Sequence, residues 1–288
     1  MPTRVALVTA TQLPRADGDL PILVSSFARR GIDAQVVPWE CTTTNWSEFD
    51  AAIIRSTWNY VEHFPAFCAW LEATARVTQL VNPLPLLRWN LHKGYLVELA
   101  DAGIPVVPTH VLRAGDDPDW PALFEHFGDL VVKPAVSAGS FATIRVMRGD
   151  IATVTAHHLE HVTRDFLVQP LLHSVSTHGE RNMVHLSGVF SHAIYKGPRW
   201  SGDHEQSRGV VTAQADELHL AARVLEFVAS KGLGNAAYAR VDVARDANDH
   251  AVLMELEIVE PSLYLECAPE HARWLVDAVC ADLPSASA

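Results

Sequence analysis

Arg240-Val-Asp242 and Glu255-Leu-Glu257 lie on two apolar segments, Ala236 to Ala244 and Ala251 to Ile258, joined by the polar turn Arg245 to His250. In an extended strand, side chains at i and i+2 point to one face. Glu255 and Glu257 therefore share a face, as do Arg240 and Asp242, and a hairpin would gather three carboxylates and one guanidinium. Such a cluster repels itself, and a hard divalent cation among the oxygens relieves the repulsion. Mg²⁺ held by carboxylates and shared with nucleotide phosphates is the usual form of that solution. The plainer alternative is a hairpin whose acidic face is solvated.

Cationic groups lie upstream. Lys133 ends the apolar run from Asp129 and precedes Pro134 and the small-residue loop Val136-Ser137-Ala-Gly139-Ser140. A lysine at a strand end before a loop rich in backbone N–H groups suits phosphate oxygens. Lys93 is a second candidate, at the start of a predicted helix. The strand Phe166 to Leu172 is interrupted at Gln169-Pro170, which frees backbone groups at Gln169, Pro170, Leu171 and Leu172 for a purine edge. Arg55-Ser56-Thr57-Trp58-Asn-Tyr60 ends another predicted strand, and ligands of open parallel sheets gather at strand C-termini. Arg55 fits two roles there, pairing with a carboxylate or bridging domains. Tyr195, Lys196 and Arg199 open a polar loop that Arg208 closes, placed for nucleotide or substrate contacts or simply on the surface.

The elements that must position these groups follow from periodicity. Strands are predicted at Arg4 to Ala10, Ala34 to Pro38 and Ala51 to Arg55, with helices at Leu20 to Arg30 and Glu62 to Arg76. This alternation implies a small parallel α/β domain ending near Asn82-Pro-Leu-Pro85. Beyond it we expect a helix from Lys93 to Ala102 and a strand at Val106 to Pro108. Helices follow near Pro121 to Phe127 and Ile151 to Val162, then strands around 182–185 and 189–195. A helix from Glu217 to Lys231, the hairpin and a helix from Arg273 to Cys280 complete the chain, with a frayed tail at Pro284 to Ala288.

With 49% hydrophobic and 19% charged residues, the 288-residue chain reads as a well-packed globule. A net charge of -12 without a basic run argues against nucleic acid or an anionic membrane as partner. Cys41, Cys68, Cys267 and Cys280 have no metal spacing and read as reduced thiols. No signal-peptide core or membrane-length apolar stretch is present, so the cytoplasm is the expected location and a homodimer the commonest assembly. Gly232-Leu-Gly234-Asn-Ala-Ala237 fits a dinucleotide fingerprint, but a helix precedes it and a strand follows, the reverse of the required order. His157 and His161 lie four apart on a helix, with no third ligand spaced to join them, and read as a solvated pair.

The order of these features, a lysine on a helix, a lysine before a small-residue loop, an apolar hinge, then R-x-D and E-x-E, resembles the ATP-grasp superfamily from about Lys93 to Leu265. The segments Arg55 to Tyr60, Asn82 to Pro85, His192 to Lys196 and Glu260-Pro-Ser262-Leu-Tyr264 are similar to the O-ureido-serine cyclo-ligases of cycloserine biosynthesis. Two departures stand out: Glu257 replaces an asparagine common in the superfamily, and the loop has a single glycine, Gly139.

The resemblance implies an α/β fold of the ATP-grasp kind, with an N-terminal parallel α/β domain (1–92) and two α+β subdomains (93–169 and 170–288) that clamp ATP. It implies an ATP- and Mg²⁺-dependent carbon–nitrogen ligase that activates a small amino-acid carboxylate as an acyl phosphate. Ring closure of O-ureido-D-serine to D-cycloserine is the expected reaction; an intermolecular carboxylate–amine ligase or a non-ligating ATP-binding regulator are the alternatives. By motif Asp242, Glu255 and Glu257 hold metal, and Arg240, Lys133 and Arg208 serve catalysis. Lys93, Lys133, Ser137, Gly139, Ser140, Gln169 to Leu172, Glu180 and Lys196 hold nucleotide, while Arg55, Ser56, Thr57, Tyr60, Glu260 and Ser262 face substrate.

Overall fold

A computed structural model describes residues 3–197 and 207–283, the side chains of 207 and 208 excepted. The first sheet contains β1 (Arg4–Thr9), β2 (Asp33–Pro38), β3 (Ala51–Ser56) and β4 (Gln79–Val81), all parallel in the order β2-β1-β3-β4. β3 and all but the first residue of β1 are buried, as a parallel sheet covered on both faces requires. Helices α1 (Asp19–Ala28) and α2 (Phe64–Thr74) supply the cover, α2 beginning with Pro65 in its first turn, where a missing N–H costs nothing.

Asn82 adopts a left-handed φ of 56°. Its amide nitrogen donates to the carbonyls of Tyr238 (2.9 Å) and Ile258 (2.7 Å), and its oxygen accepts from Ala237 N–H (2.7 Å). The expected break is therefore also a tie between the first sheet and the C-terminal hairpin. Two short helices follow, α3 (Leu84–Asn90), which the sequence did not announce, and α4 (Tyr95–Asp101). Lys93 stands in the turn before α4 rather than within it.

The second sheet is antiparallel, in the order β5 (His110–Leu112), β8 (Phe166–Pro170), β6 (Leu130–Pro134), β7 (Ile144–Val146). Helices α5 (Trp120–Phe127) and α6 (Ile151–Glu160) pack on it, each capped by an aspartate, Asp119 and Asp150, that accepts a backbone N–H of the first turn. The strand expected at Val106 to Pro108 is only a single bridge, Val106 to Leu253.

After the short α7 (Ser174–Thr177), the third sheet runs β11 (Ser207–Val211), β10 (Val189–Lys196), β9 (Glu180–Leu186), β12 (Tyr238–Arg245), β13 (Ala251–Glu257), antiparallel throughout. Helix α8 (Ala215–Ser230) starts at a capping box of Gln214 and Glu217. The last helix, α9 (Ala272–Asp282), turns back onto α1, where Leu275 and Val276 share a core with Leu23, Phe27 and Val5. The polar segment 198–206 and the tail 284–288 lie outside the described residues, and no described helix is long and apolar enough to cross a membrane.

Candidate active site

β12 and β13 pair as the sequence requires, with Arg240 opposite Glu257 and Asp242 opposite Glu255. The four charged groups share one face. β13 is an edge strand, whose outer backbone groups need partners. Side chains supply them: Tyr95 Oη donates to the Leu256 carbonyl (2.8 Å) and accepts its N–H (2.9 Å), while Asn90 donates to the same carbonyl (2.9 Å) and accepts Ile258 N–H (2.8 Å). Farther along, Val107 N–H donates to Leu253 O (2.9 Å) and Leu253 N–H to Pro105 O (3.0 Å). These bonds fix the backbone on both sides of Glu255 and Glu257.

Cations occupy the space around the acids. Lys93 Nζ lies 3.0 Å from Glu255 and donates to the Ser137 carbonyl at 2.5 Å, and Lys133 Nζ lies 4.0 Å from Glu255. Arg240 clasps Asp242 with Nε and Nη2, both at 2.8 Å, and Nη2 also meets Glu257. Lys196 pairs with Glu180 at 3.1 Å. Burial raises the Glu255 pKa, but Lys93 and Lys133 outweigh it and hold the group at about 2. Glu257 shows the opposite balance: burial and the neighbouring Asp242 and Glu255 overcome Arg240 and push it to about 8. Burial also lifts Glu260, to about 7, and depresses Lys133, whereas Glu255 more than offsets burial at Lys93 and raises it.

These groups line a cavity of about 510 Å³ enclosed by the second and third sheets and by the segments that follow β1 and β3 of the first. Of the residues singled out from sequence, Lys93, Lys133, Ser137, Gly139, Ser140, Gln169, Pro170, Leu171, Leu172, Glu180, Lys196, Arg240, Asp242, Glu255, Glu257, Tyr60, Glu260 and Ser262 line it. Gly139, Ser140 and Ala142 all have left-handed φ, so the loop turns at two non-glycine positions despite its single glycine. At the hinge, Leu171 N–H is already bonded to the Asp129 carbonyl (2.8 Å), so it is not open to a purine as expected. Arg208 lies on β11 with its side chain outside the description, and Arg199 is not described at all.

Arg55, Ser56 and Thr57 are corrections. All three are fully buried and do not reach the cavity. The Arg55 guanidinium bonds Asp19 (3.1 Å) and the Pro261 carbonyl (2.6 Å) and lies over Tyr238, so it is the bridging arginine of the two alternatives. Ser56 is spent on Thr9 within the sheet, at 2.8 Å. Trp58, within the Arg55 to Tyr60 segment but assigned no role, also lines the cavity, and the sequence reading missed Arg15 on the same wall and Asn90 and Tyr95 beneath β13. Arg15 follows the first strand of a parallel sheet, the position from which it could have been found. The expectation that nothing joins His157 and His161 also needs correction, since Glu160 completes a cluster of three possible ligand atoms within 4.8 Å of one another.

Asp242, Glu255 and Glu257 are hard oxygen donors carried on one face of paired strands, a donor type that suits Mg²⁺, though their oxygens do not all lie within 4.8 Å of one another as they stand. Asn182, directly across β9 from Asp242 and wholly buried, leaves both amide atoms without a partner among the described residues. An unsatisfied amide beside an acid cluster costs about 1–3 kcal/mol, which a bound group or ordered water would recover.

Comparison with solved structures places this architecture. A D-alanine–D-alanine ligase from Bacillus anthracis complexed with ATP superposes with TM-score 0.70 at 13% identity, covering 97% of this chain and 96% of that one. A RimK domain ATP-grasp protein from Sphaerobacter thermophilus gives 0.69 at 21% identity, covering 96% and 100%. The fold and the charged cavity define an ATP-grasp ligase, an enzyme that couples ATP use to bond formation.

A crystal structure of D-cycloserine synthetase DcsG matches with TM-score 0.90 and 32% identity over 98% of this chain and all of that chain, 100%. The cycloserine biosynthesis protein DcsG of Streptomyces lavendulae is 36% identical over 285 residues, 93% of this chain and 95% of its own length. Residues 5–82 match the family described as the N-terminal domain of D-cycloserine synthetase DcsG. The chain belongs to the DcsG family.

Proposed function

We propose that this enzyme closes O-ureido-D-serine into D-cycloserine at the expense of ATP. One observation carries the proposal: a single cavity in which the lysines and acids of the hairpin side face a small polar wall of Tyr60, Glu260 and Ser262. Likeness to the DcsG relatives along nearly the whole chain supports the same product. In that enzyme residues 1–92 form the substrate side, and 93–169 and 170–288 clamp the nucleotide.

Lys93 and Lys133 hold phosphate oxygens, Ser137 to Ser140 cover them, and Gln169 to Leu172 bracket the base, with Glu180 at the ribose. Asp242, Glu255 and Glu257 hold Mg²⁺, which when bound neutralises phosphate charge. The substrate carboxylate attacks the γ-phosphorus, ADP leaves, and Arg240 meets the charge developing on the transferred group. The ureido nitrogen next to oxygen then attacks the acyl carbon and phosphate departs. Cycloserine lacks the carbamoyl group, so one water removes it as carbamic acid. An intramolecular nucleophile gains a high effective concentration and needs no second amino-acid site.

The test is to incubate enzyme, ATP and Mg²⁺ with O-ureido-D-serine alone and follow products by mass. ADP and cycloserine are expected in equal amounts. ADP release that requires two amino acids would instead make this an intermolecular ligase, and ATP binding without release under either condition would make it a non-ligating ATP-binding protein.

A further inference from the structure

We propose that Arg15 binds the substrate carboxylate, completing with Arg240 a two-guanidinium clamp around the reacting oxygen atoms. The proposal rests on the carboxylate-activation chemistry above and adds a residue outside the sequence motifs described earlier. Arg15 sits on the loop between β1 and α1, at the C-terminal edge of the first sheet, where parallel sheets bind ligands.

Two guanidiniums from distant parts of the chain converge on one residue. Arg15 Nη2 donates to Ser262 Oγ at 2.9 Å, and Arg240 Nη1 donates to the Ser262 carbonyl at 3.2 Å. Ser262 thus spaces them on the cavity wall. Arg240 has Nε and Nη2 committed to Asp242 and Glu257, so a second fork of donors is needed to grip both oxygens of an incoming carboxylate. The wall also carries Glu257 and Glu260, beside which a second guanidinium favours the entry of a carboxylate.

Arg15 is held in plane for this task. Its guanidinium stacks 4.8 Å over the Trp58 ring, and Trp58 Nε1 donates to the Glu260 carbonyl at 3.1 Å. Beneath the cavity, Asp19 accepts the N–H groups of Leu263 and Leu265, both at 2.7 Å, and pairs with Arg55. That buried network registers the loop carrying Arg15 against the loop carrying Ser262. The ligand class that fits is an α-amino acid, its carboxylate at Arg15 and Arg240 and its ammonium toward Glu260.

The experiment compares wild type, Arg15→Met and Arg15→Lys by steady-state kinetics. With O-ureido-D-serine, Arg15→Met should raise KM for the amino acid about 10- to 100-fold, the loss of charged hydrogen bonds, while KM for ATP stays within about twofold. Arg15→Lys should recover part of the loss. D-serine should inhibit wild type better than D-serinamide, and Arg15→Met should erase that preference. A merely structural role would move both KM values together and leave the preference intact. If wild type instead joins two D-alanines, the ring-closing reading falls and the same KM split is read with D-alanine. An unchanged amino-acid KM in Arg15→Met with the substrate that wild type uses overturns the inference, and no turnover with either substrate overturns both.

Discussion

The two sides of the cavity are held in place by different means. On the hairpin side, strand register sets Arg240, Asp242, Glu255 and Glu257 on one face, Lys93 from the turn before α4 and Lys133 from β6 meet Glu255, and the charges neutralise one another directly. On the proposed substrate side, Arg15 and Ser262 come from loops and Trp58 from a single 3-10 turn after β3, and the charges that fix them, Arg55 and Asp19, are buried beneath the cavity. Ligands on the first side must exchange partners with groups already paired. The second side is preset from below. Damage to the first should therefore be read in turnover, and damage to the network under the second in stability.

The sharpest way to break this contrast is Glu255→Gln. Turnover should fall by about 10³-fold, as when a single charge-stabilising group is removed from a reacting site. Metal-free ATP should bind no more weakly, because the substitution also removes the acid that competes for Lys93 and Lys133. Steady-state assays read the first point and titration calorimetry with and without Mg²⁺ the second; parental turnover would take Glu255 out of the metal set.

Arg55→Met should do the reverse. It strands Asp19 as an uncompensated buried charge, costing about 3–5 kcal/mol in urea unfolding, with KM for ATP unchanged. A variant as stable as the parent but inactive would return Arg55 to the cavity.

A third measurement uses a buried group outside both sides. His185 on β9 is 5% exposed, and burial lowers its pKa from 6.5 to about 4. Above pH 6.5 the folded and unfolded chains both carry it neutral. Below that the unfolded chain takes a proton that the folded chain refuses, so up to about 3 kcal/mol of stability disappears between about pH 6.5 and pH 4. Urea unfolding across this range should show the slope, and His185→Phe should flatten it.

The smallest effect concerns Glu257. With its pKa raised to about 8, Mg²⁺ binding at neutral pH must displace a proton. Affinity for Mg²⁺ in the presence of a non-hydrolysable ATP analogue should weaken by up to about tenfold per pH unit below 8. Calorimetry in buffers of different ionisation enthalpy reads the released proton; none at pH 7 would mean Glu257 is already ionised there.

The same contrast explains what could be read in advance. The period-two spacing of Arg240, Asp242, Glu255 and Glu257 defines one face before any fold is known, and Lys133 before its loop is a local pattern. The alternating apolar runs of the first sheet were equally readable. The substrate side was not, because Arg15 and Ser262 lie far apart in sequence and meet only through tertiary contacts. Arg55 misled for a related reason. An arginine at the end of β3 can face a ligand or the next domain, and only the placement of Asp19 and Pro261 decides. Tyr95 and Asn90 bond backbone atoms of β13, a role with no signature in their own neighbourhoods.

Helix α9 packs against α1, so the first sheet receives part of its cover from the end of the chain. During synthesis, Leu23, Phe27 and Val5 lack Leu275 and Val276 as neighbours until α9 has been made. The N-terminal unit thus cannot mature as an early, independent folding step, although domains often do so in order of synthesis. Its completion waits on α9, and a chain stopped before that helix would expose an unfinished apolar surface on the very unit that emerged first.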